Sequence, residues 1–426
     1  MHTSLSLSLS LTLTGLALTH LGCGASTEGP HPQQHASDQQ AGAEHDAVRG
    51  ALEQRLDAVA QRAVDEHRIV GTVMVVAHRG EIVYRKAHGY ADREAQQPMA
   101  VDTVHRFASL TKPIVAVALL RLADRGAVDL DAPVTNWLPE FRPRLADKTS
   151  PPITLRQLLT HTSGLGYRFA EPADGPYHKL GVSDGMDASG ITLDENLRRL
   201  AEAPLLSAPG AAWNYSLSID VLGRVIEKVT HQDLESAIRN LVTNPVGMKD
   251  TSFIATEPSR LATPYADGKP EPVRMTASFQ NPFAASTVDF SPGRALDKGA
   301  YFSGGAGMVG TADDYLRLLE VLRTGGAPLL KEPTANALFD NAIGELDTFR
   351  GPGWGFGLIG AVLVDPKLAK EHASAGSIDW GGAYGHTWSI DRAAELTIVV
   401  LTNTAFEGMI GKYPHEVREA IYGVLR

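Results

Sequence analysis

The run Pro113-Ile-Val-Ala-Val-Ala-Leu-Leu-Arg-Leu-Ala-Asp124 is apolar on nearly every face. A helix without a polar face belongs in the interior, so the fold of this chain must wrap around it. Pro113 suits a first helical turn, where a missing N–H does little harm. Ser109 and Lys112 therefore stand at the helix start, and at i and i+3 their side chains share one face. A serine hydroxyl becomes a good nucleophile only when a neighbour takes its proton. A lysine does this as the free amine, a form that an apolar wall and a helix N-terminus both favour. The same N-terminus offers backbone N–H groups to an oxyanion. Ser-x-x-Lys is nevertheless short enough to arise by chance, and a helix cap beside a snorkelling lysine is the bland alternative.

The 426 residues flank this helix with other recognisable pieces. Leu52, Leu56, Val59, Ala60 and Ala63 recur at helical spacing. Val70–Ala77 and Ile82–Tyr84 read as two strands around a turn. Near the far end, Trp388–Ile390 and Leu396–Thr402 form another strand pair, and Pro414–Leu425 a closing helix. The middle is mainly helical with long Gly- and Pro-rich loops. The expected fold is α/β (α+β): one antiparallel sheet built from both chain ends and flanked by helices, with an all-α region inserted. The boundaries are about 47–108 and 300–426 for the sheet part and 109–299 for the helical part. A formal net charge of −10 without any basic run excludes a nucleic-acid partner. The lone cysteine, Cys23, excludes an intrachain disulfide and a Cys-based metal site. No His-Glu-x-x-His or comparable ligand set is present, so neither a metal nor a cofactor is expected.

Residues 1–22 are expected to be an export signal, with a Leu/Ser/Thr stretch from Leu5 to Leu18 too short and polar for a membrane span. Leu21-Gly22-Cys23 is similar to the bacterial lipoprotein box, although His20 stands where leucine is usual and the n-region lacks positive charge. The expectation is lipidation at Cys23 and an extracytoplasmic location in the periplasm or cell envelope; an ordinary secretory signal is the alternative. Residues 23–46 are polar and read as a disordered tether, leaving 47–426 as the catalytic domain.

Ser109-Leu-Thr-Lys112 resembles the first motif of the penicillin-recognising serine hydrolases, which include class C β-lactamases, DD-peptidases and family VIII carboxylesterases. Leu158-Leu-Thr-His-Thr-Ser-Gly-Leu165, Pro209-Gly-Ala-Ala-Trp-Asn-Tyr-Ser216, Gly304-Gly-Ala-Gly-Met-Val-Gly-Thr311 and Trp354-Gly-Phe-Gly357 resemble further segments of the family, in order. The resemblance implies a site in the cleft between a sheet domain and a helical domain. It implies that Tyr215, in Tyr215-Ser-Leu217, shuttles protons with Lys112. Leu217 replaces the asparagine that grips an amide substrate in β-lactamases, so the resemblance points to the family VIII esterases first. The third motif, Lys-Thr-Gly, is absent. Trp380-Gly381-Gly382 resembles the Trp-containing box of the esterases, and the alternative, His386-Thr387, has too little strand before Asp391. With the former, Ala383 donates the second oxyanion-hole N–H beside that of Ser109, and Trp380, Gly381, Gly382, Leu217, His386 and Tyr167 line the substrate site. Phe169, Tyr301 and Trp388 are further candidates for an aromatic pocket, with core packing as the alternative for each.

Two other segments imitate active-site motifs. Gly181-Val-Ser183-Asp-Gly185 matches the Gly-x-Ser-x-Gly nucleophile elbow, but no buried strand precedes it and no helix follows. His161 in Thr160-His-Thr-Ser-Gly reads as a buried anchor of a turn. The expected function is hydrolysis of small-molecule carboxylic esters through an acyl-enzyme on Ser109. The alternatives are hydrolysis of cell-wall amides or β-lactams, acyl transfer, and non-catalytic muropeptide binding.

Overall fold

The computed structural model describes the backbone of residues 32–284 and 286–425, and side chains from residue 46 onward within that range. Strands β1 (Gly71–His78) and β2 (Glu81–Asp92) form the expected hairpin, and β3 (Gln97–Pro98) extends it. The C-terminal part supplies β4 (Trp354–Phe356), β5 (Ala361–Leu363), β6 (Ile378–Gly382), β7 (His386–Asp391) and β8 (Leu396–Thr402). Together they make one eight-stranded sheet in the order β4-β5-β6-β7-β8-β1-β2-β3. Every pairing in it is antiparallel. The two ends of the chain meet in mid-sheet, where β1 lies against β8 from Thr72 opposite Thr402 to His78 opposite Leu396.

Val73–Ala77 of β1 reads as an unbroken apolar run because both faces of the strand are covered. Successive side chains point to opposite faces. Met74 and Val76 meet Leu52, Leu56 and Ala60 of α1 (Pro32–Asp65) and Val417 and Ile421 of α5 (Lys412–Leu425). Val73, Val75 and Ala77 belong to the main core, where α4 (Ala312–Arg323) lies across β1 and β8. α2 (Thr111–Asp124) is buried continuously from Thr111 to Leu120 and packs on α3 (Ser218–Thr230). Ile114, Val115, Val117, Leu119 and Leu120 have no exposed surface, and each such burial contributes roughly 1.5–3 kcal/mol. The helix start that carries Ser109 and Lys112 is thereby fixed to a helix buried continuously from Thr111 to Leu120.

Two expectations need correction. The inserted region is not all-α: it holds the hairpin Phe279–Phe283/Ser286–Phe290, and Tyr265–Ala266 and Val273–Arg274 pair in a small sheet with Thr404–Ala405. These strands are too short and too interrupted by proline and glycine to show a period. α1 begins at Pro32, inside the segment read as a disordered tether. Its Ala, Gln and Glu residues are good helix formers, and polarity argues against a core without arguing against a helix. In the large sheet β6, which carries Trp380, is an interior strand, because β4 and β5 continue the sheet beyond it. Residues 48–426 form one compact unit. The segment read as an export signal, and Cys23 with it, lie outside the described residues. Among the described residues no helix is long and apolar enough to cross a membrane.

Candidate active site

A short 3₁₀ turn, Ala108–Leu110, leads into α2 and holds Ser109 partly exposed. Ala108 has φ 46°, a left-handed conformation that costs a non-glycine residue energy and persists only where its surroundings enforce it. Those surroundings are specific. Phe107 N–H donates to Met308 O at 2.8 Å, Met308 N–H to Thr111 Oγ1 at 3.1 Å, and Tyr315 Oη–H to Leu110 O at 3.1 Å. On the remaining side Gly382 of β6 presses so close that a Cβ there would sit 2.4 Å from Phe107 O. Ala383 follows at once, half-buried at the strand end. The turn that aims Ser109 and the strand that ends in Ala383 are thus packed against each other.

Lys112 is 4 % exposed. Its Nζ lies 3.1 Å from Ser109 Oγ and donates to Gly305 O at 2.7 Å. Tyr215 Oη lies 2.8 Å from the same Ser109 Oγ, and Trp380 Nε1–H donates to Tyr215 Oη at 3.1 Å. Lys112 Nζ also stands 4.7 Å from the centre of the Tyr215 ring and 5.3 Å from that of Tyr167. Gly305 is required by its neighbours: a Cβ there would meet Asp220 Oδ2 at 2.4 Å and Tyr167 Oη at 3.2 Å. Asp220 is buried and accepts from Ser303 Oγ at 2.7 Å. Burial raises its pKa, against the lowering effects of the Ser303 bond and of Lys112.

Tyr215 is set in place by the Thr160–Gly166 segment. Asn214 N–H donates to His161 O at 2.8 Å, Ser216 N–H to His161 Nδ1 at 3.2 Å, and Leu217 N–H to Gly166 O at 3.2 Å. A backbone N–H on Nδ1 assigns the ring proton to Nε2. The imidazole lies 4.8 Å from the Tyr215 ring centre. Burial and the Lys112 charge push its pKa well below 6.5, so His161 is a neutral wall of the site, in keeping with its reading as an anchor. A void of about 10 Å³ beside Lys112, lined by His161, Phe356 and Trp380, holds one water at most.

Other expected site residues fall elsewhere. Leu217 is fully buried in the main core, so its side chain is not a substrate contact; it precedes α3 and packs beneath it. His386 is 1 % exposed and donates from Nε2 to Arg106 O at 2.7 Å. It braces the backbone ahead of Ser109 rather than lining the cleft. Trp388, 1 % exposed, packs near Tyr315 in the core. Tyr301 binds Ser183 Oγ at 3.1 Å. Ser183 is fully buried and also bonded to Asp187, with no basic side chain on its hydroxyl, so the Gly-x-Ser-x-Gly match is structural. Tyr167 does reach the site: its ring is 5.2 Å from Tyr215 and stacks on Phe169 at 4.6 Å.

Three aromatic residues not expected here complete the wall. Trp213 and Phe356 lie 5.3 Å apart, Phe356 is 5.2 Å from Trp380, and Phe349 is 5.7 Å from Trp380. Trp213 and Phe356 sit inside motif segments, which was a usable signal; Phe349 stands in a polar, glycine-rich loop and gave none. Among the described residues no group of three or more His, Cys, Asp or Glu side chains could hold a metal ion.

This geometry agrees with what the chain is similar to. The family described as Beta-lactamase matches residues 56–420. Esterase EstB of Burkholderia gladioli is 53 % identical over 375 residues, 87 % of this chain and 95 % of that protein. The structure of EstCE1, described as a hydrolase with promiscuous acyltransferase activity, superposes with a TM-score of 0.87 at 46 % identity, covering 88 % of this chain and all of that one. An octameric penicillin-binding protein homologue from Pyrococcus abyssi shares the fold, with a TM-score of 0.66 at 20 % identity over 87 % of this chain and 76 % of that one. With the Ser109-Lys112-Tyr215 cluster at the join of sheet and helices, the chain belongs to the beta-lactamase family.

Proposed function

We propose that the protein hydrolyses carboxylic esters through an acyl-enzyme on Ser109. With Lys112 as the free amine, Ser109 Oγ attacks the ester carbonyl while its proton passes to Tyr215 and the phenol proton moves on to Lys112, and the N–H groups of Ser109 and Ala383 hold the resulting oxyanion. When the tetrahedral intermediate collapses, Tyr215 returns the proton to the departing alcohol oxygen. Water then gives a proton to Tyr215 as it attacks the acyl carbon, and Ser109 regains its hydrogen as the acid leaves. The observation that carries this reading is the convergence of Lys112 Nζ, at 3.1 Å, and Tyr215 Oη, at 2.8 Å, on one serine oxygen. Esters are preferred over β-lactams and peptides because the residue that would grip an amide is Leu217, buried away from the cleft.

The test is turnover of short-chain nitrophenyl esters and of a chromogenic cephalosporin, with fluorophosphonate labelling, by the native protein and Ser109→Ala. Ester turnover and labelling that vanish in the variant support the proposal. An unlabelled, inert native protein sinks it and leaves muropeptide binding as the better reading. Acyl transfer is a second reading supported by the aromatic walls, which disfavour water against an apolar alcohol as acceptor; added alcohols should then divert product from acid to ester. We further propose that the chain is exported and lipidated at Cys23, on the strength of the Leu21-Gly22-Cys23 box. Incorporation of labelled palmitate that survives Cys23→Ser would refute this.

A further inference from the structure

Phe349 is 67 % exposed, although aromatic rings flank it on several sides. Its ring centre lies 5.2 Å from Trp213, 5.7 Å from Trp380 and 6.3 Å from Tyr215. The residue sits in a pinned turn. Gly351 N–H donates to Thr348 O at 3.1 Å and Arg350 N–H to Thr348 Oγ1 at 3.3 Å. The Arg350 guanidinium is paired with Asp379 at 2.6 Å and lies 4.9 Å from the Trp354 ring centre and 5.4 Å from that of Trp380. The exposed ring is therefore held where it is, packed on one side and open on the other. An aromatic surface so held over a cleft is a contact surface for a ligand.

Its place beside Tyr215 says which part of the ligand it meets. The alcohol of an ester leaves beside the hydroxyl that protonates it, and in the mechanism above that hydroxyl is Tyr215 Oη. Of the rings around Tyr215, Trp213, Trp380 and Phe349 adjoin one another, Phe349 lying against both tryptophans, while Tyr167 stacks away toward Phe169 and His161 is buried. Phe283 and Ala383 pack against a second apolar cluster, and Phe169 bridges that cluster and the main core. The charge nearest the Phe349 shelf, that of Arg350, is already neutralised by Asp379.

We propose that Phe349 is a specificity-determining residue that, with Trp213 and Trp380, binds the alcohol portion of the substrate, so that the natural substrates are esters of apolar aliphatic or aromatic alcohols. This rests on the ester-hydrolase reading and adds a substrate class to it.

The test compares native protein, Phe349→Ala and Phe349→Leu on two series: acetates of n-alkanols of rising length, and ethyl esters of fatty acids of rising length. Each methylene that reaches the shelf is worth up to about fourfold in kcat/KM. The native protein should climb along the alkanol series by roughly that factor per methylene until the shelf is filled. Phe349→Ala should flatten the climb to under about twofold per methylene, and Phe349→Leu should keep most of it. Any loss on ethyl acetate should recur equally at every member of the acyl series, so that the rise per methylene along the acyl series stays native in both variants. An unaltered alkanol slope in Phe349→Ala overturns the inference, as does a loss confined to the acyl series. If Ser109→Ala still turns over ethyl acetate, the hydrolase reading fails instead, and the two failures are told apart.

Discussion

Trp380→Phe isolates one hydrogen bond in the candidate site. The indole N–H donates to Tyr215 Oη at 3.1 Å, and that oxygen is 2.8 Å from Ser109 Oγ. Phenylalanine keeps a ring facing Tyr215, now 5.1 Å away, and Phe356, now 5.2 Å away, and removes only the donor. While Tyr215 is a neutral phenol the bond is worth about 1 kcal/mol, and to an oxygen carrying negative charge about 1.5–3 kcal/mol. Only the difference between ground and transition states changes the rate. That difference, about 0.5–2 kcal/mol, predicts a fall in kcat of about 2- to 30-fold with KM little altered. Tyr215→Phe should cost far more, on the order of 10²–10⁴-fold. Because the indole acts through the Tyr215 oxygen, adding Trp380→Phe to Tyr215→Phe should cost nothing further, a non-additivity that a double-mutant cycle measures directly. Thermal unfolding of each variant checks that the fold persists. An unchanged kcat in folded Trp380→Phe, or full additivity with Tyr215→Phe, would show that the indole packs without tuning the proton shuttle.

Three further changes probe the surroundings. Ser183→Ala should leave ester turnover within about twofold of native while lowering stability by about 1–2 kcal/mol, as its bonds to Asp187 and Tyr301 are lost; inactivation would restore the Gly-x-Ser-x-Gly segment as a contender for nucleophile. Leu217→Asn, which reinstates the amide found in β-lactamases, should yield no cephalosporin turnover and destabilise by about 3–5 kcal/mol, since it buries an amide in an apolar core; a stable variant that opens β-lactams contradicts the placement. Asp184 accepts from the N–H groups of Arg168 and Phe169 at 2.9 and 3.1 Å, and burial, outweighing Arg168, pushes its pKa up to about 7. A folded-state value above the unfolded one, about 3.9, means the native state binds the proton more tightly. The resulting stability is complete below about pH 4 and is lost as pH rises through about 7. Subtracting the stability–pH curve of Asp184→Asn from that of the native protein should expose a decline across this window, and a flat difference refutes it.

What the sequence disclosed and what it hid divide along physical lines. Leu396–Thr402 is legible to the residue because a strand covered on both faces is buried at every position and mostly apolar, and α2 is legible for the same reason. Ser109, Lys112 and Tyr215 were legible because the chemistry demands those residue types, and the first two must share a helical face. Leu217 was misplaced by reasoning from a motif position alone: the backbone around Tyr215 is kept, but the leucine turns inward under α3. His386 and Trp388 were misjudged because alternation along β7 assigns sides of the sheet without saying which side meets the cleft. Phe349 carried no signal at all, since its role depends on a turn fastened by Arg350 to Asp379 in β6, a contact between residues with no periodic relation.

The same contrast explains why one nucleophile points toward esters. The parts that make Ser109 reactive are backbone-level devices: the left-handed Ala108, the Gly382 approach and the Gly305 carbonyl on Lys112. A β-lactamase could use all of them unchanged. What distinguishes this site is its lining. Where an amide substrate needs a polar grip, the cleft presents Trp213, Trp380, Phe349 and Tyr167, and the one extra polar contact to Tyr215 is an indole N–H. Such walls reward apolar surface on the substrate and offer nothing to the second hydrogen-bonding group of an amide. An ester lacks that group, so it enters without leaving a buried donor unpaired.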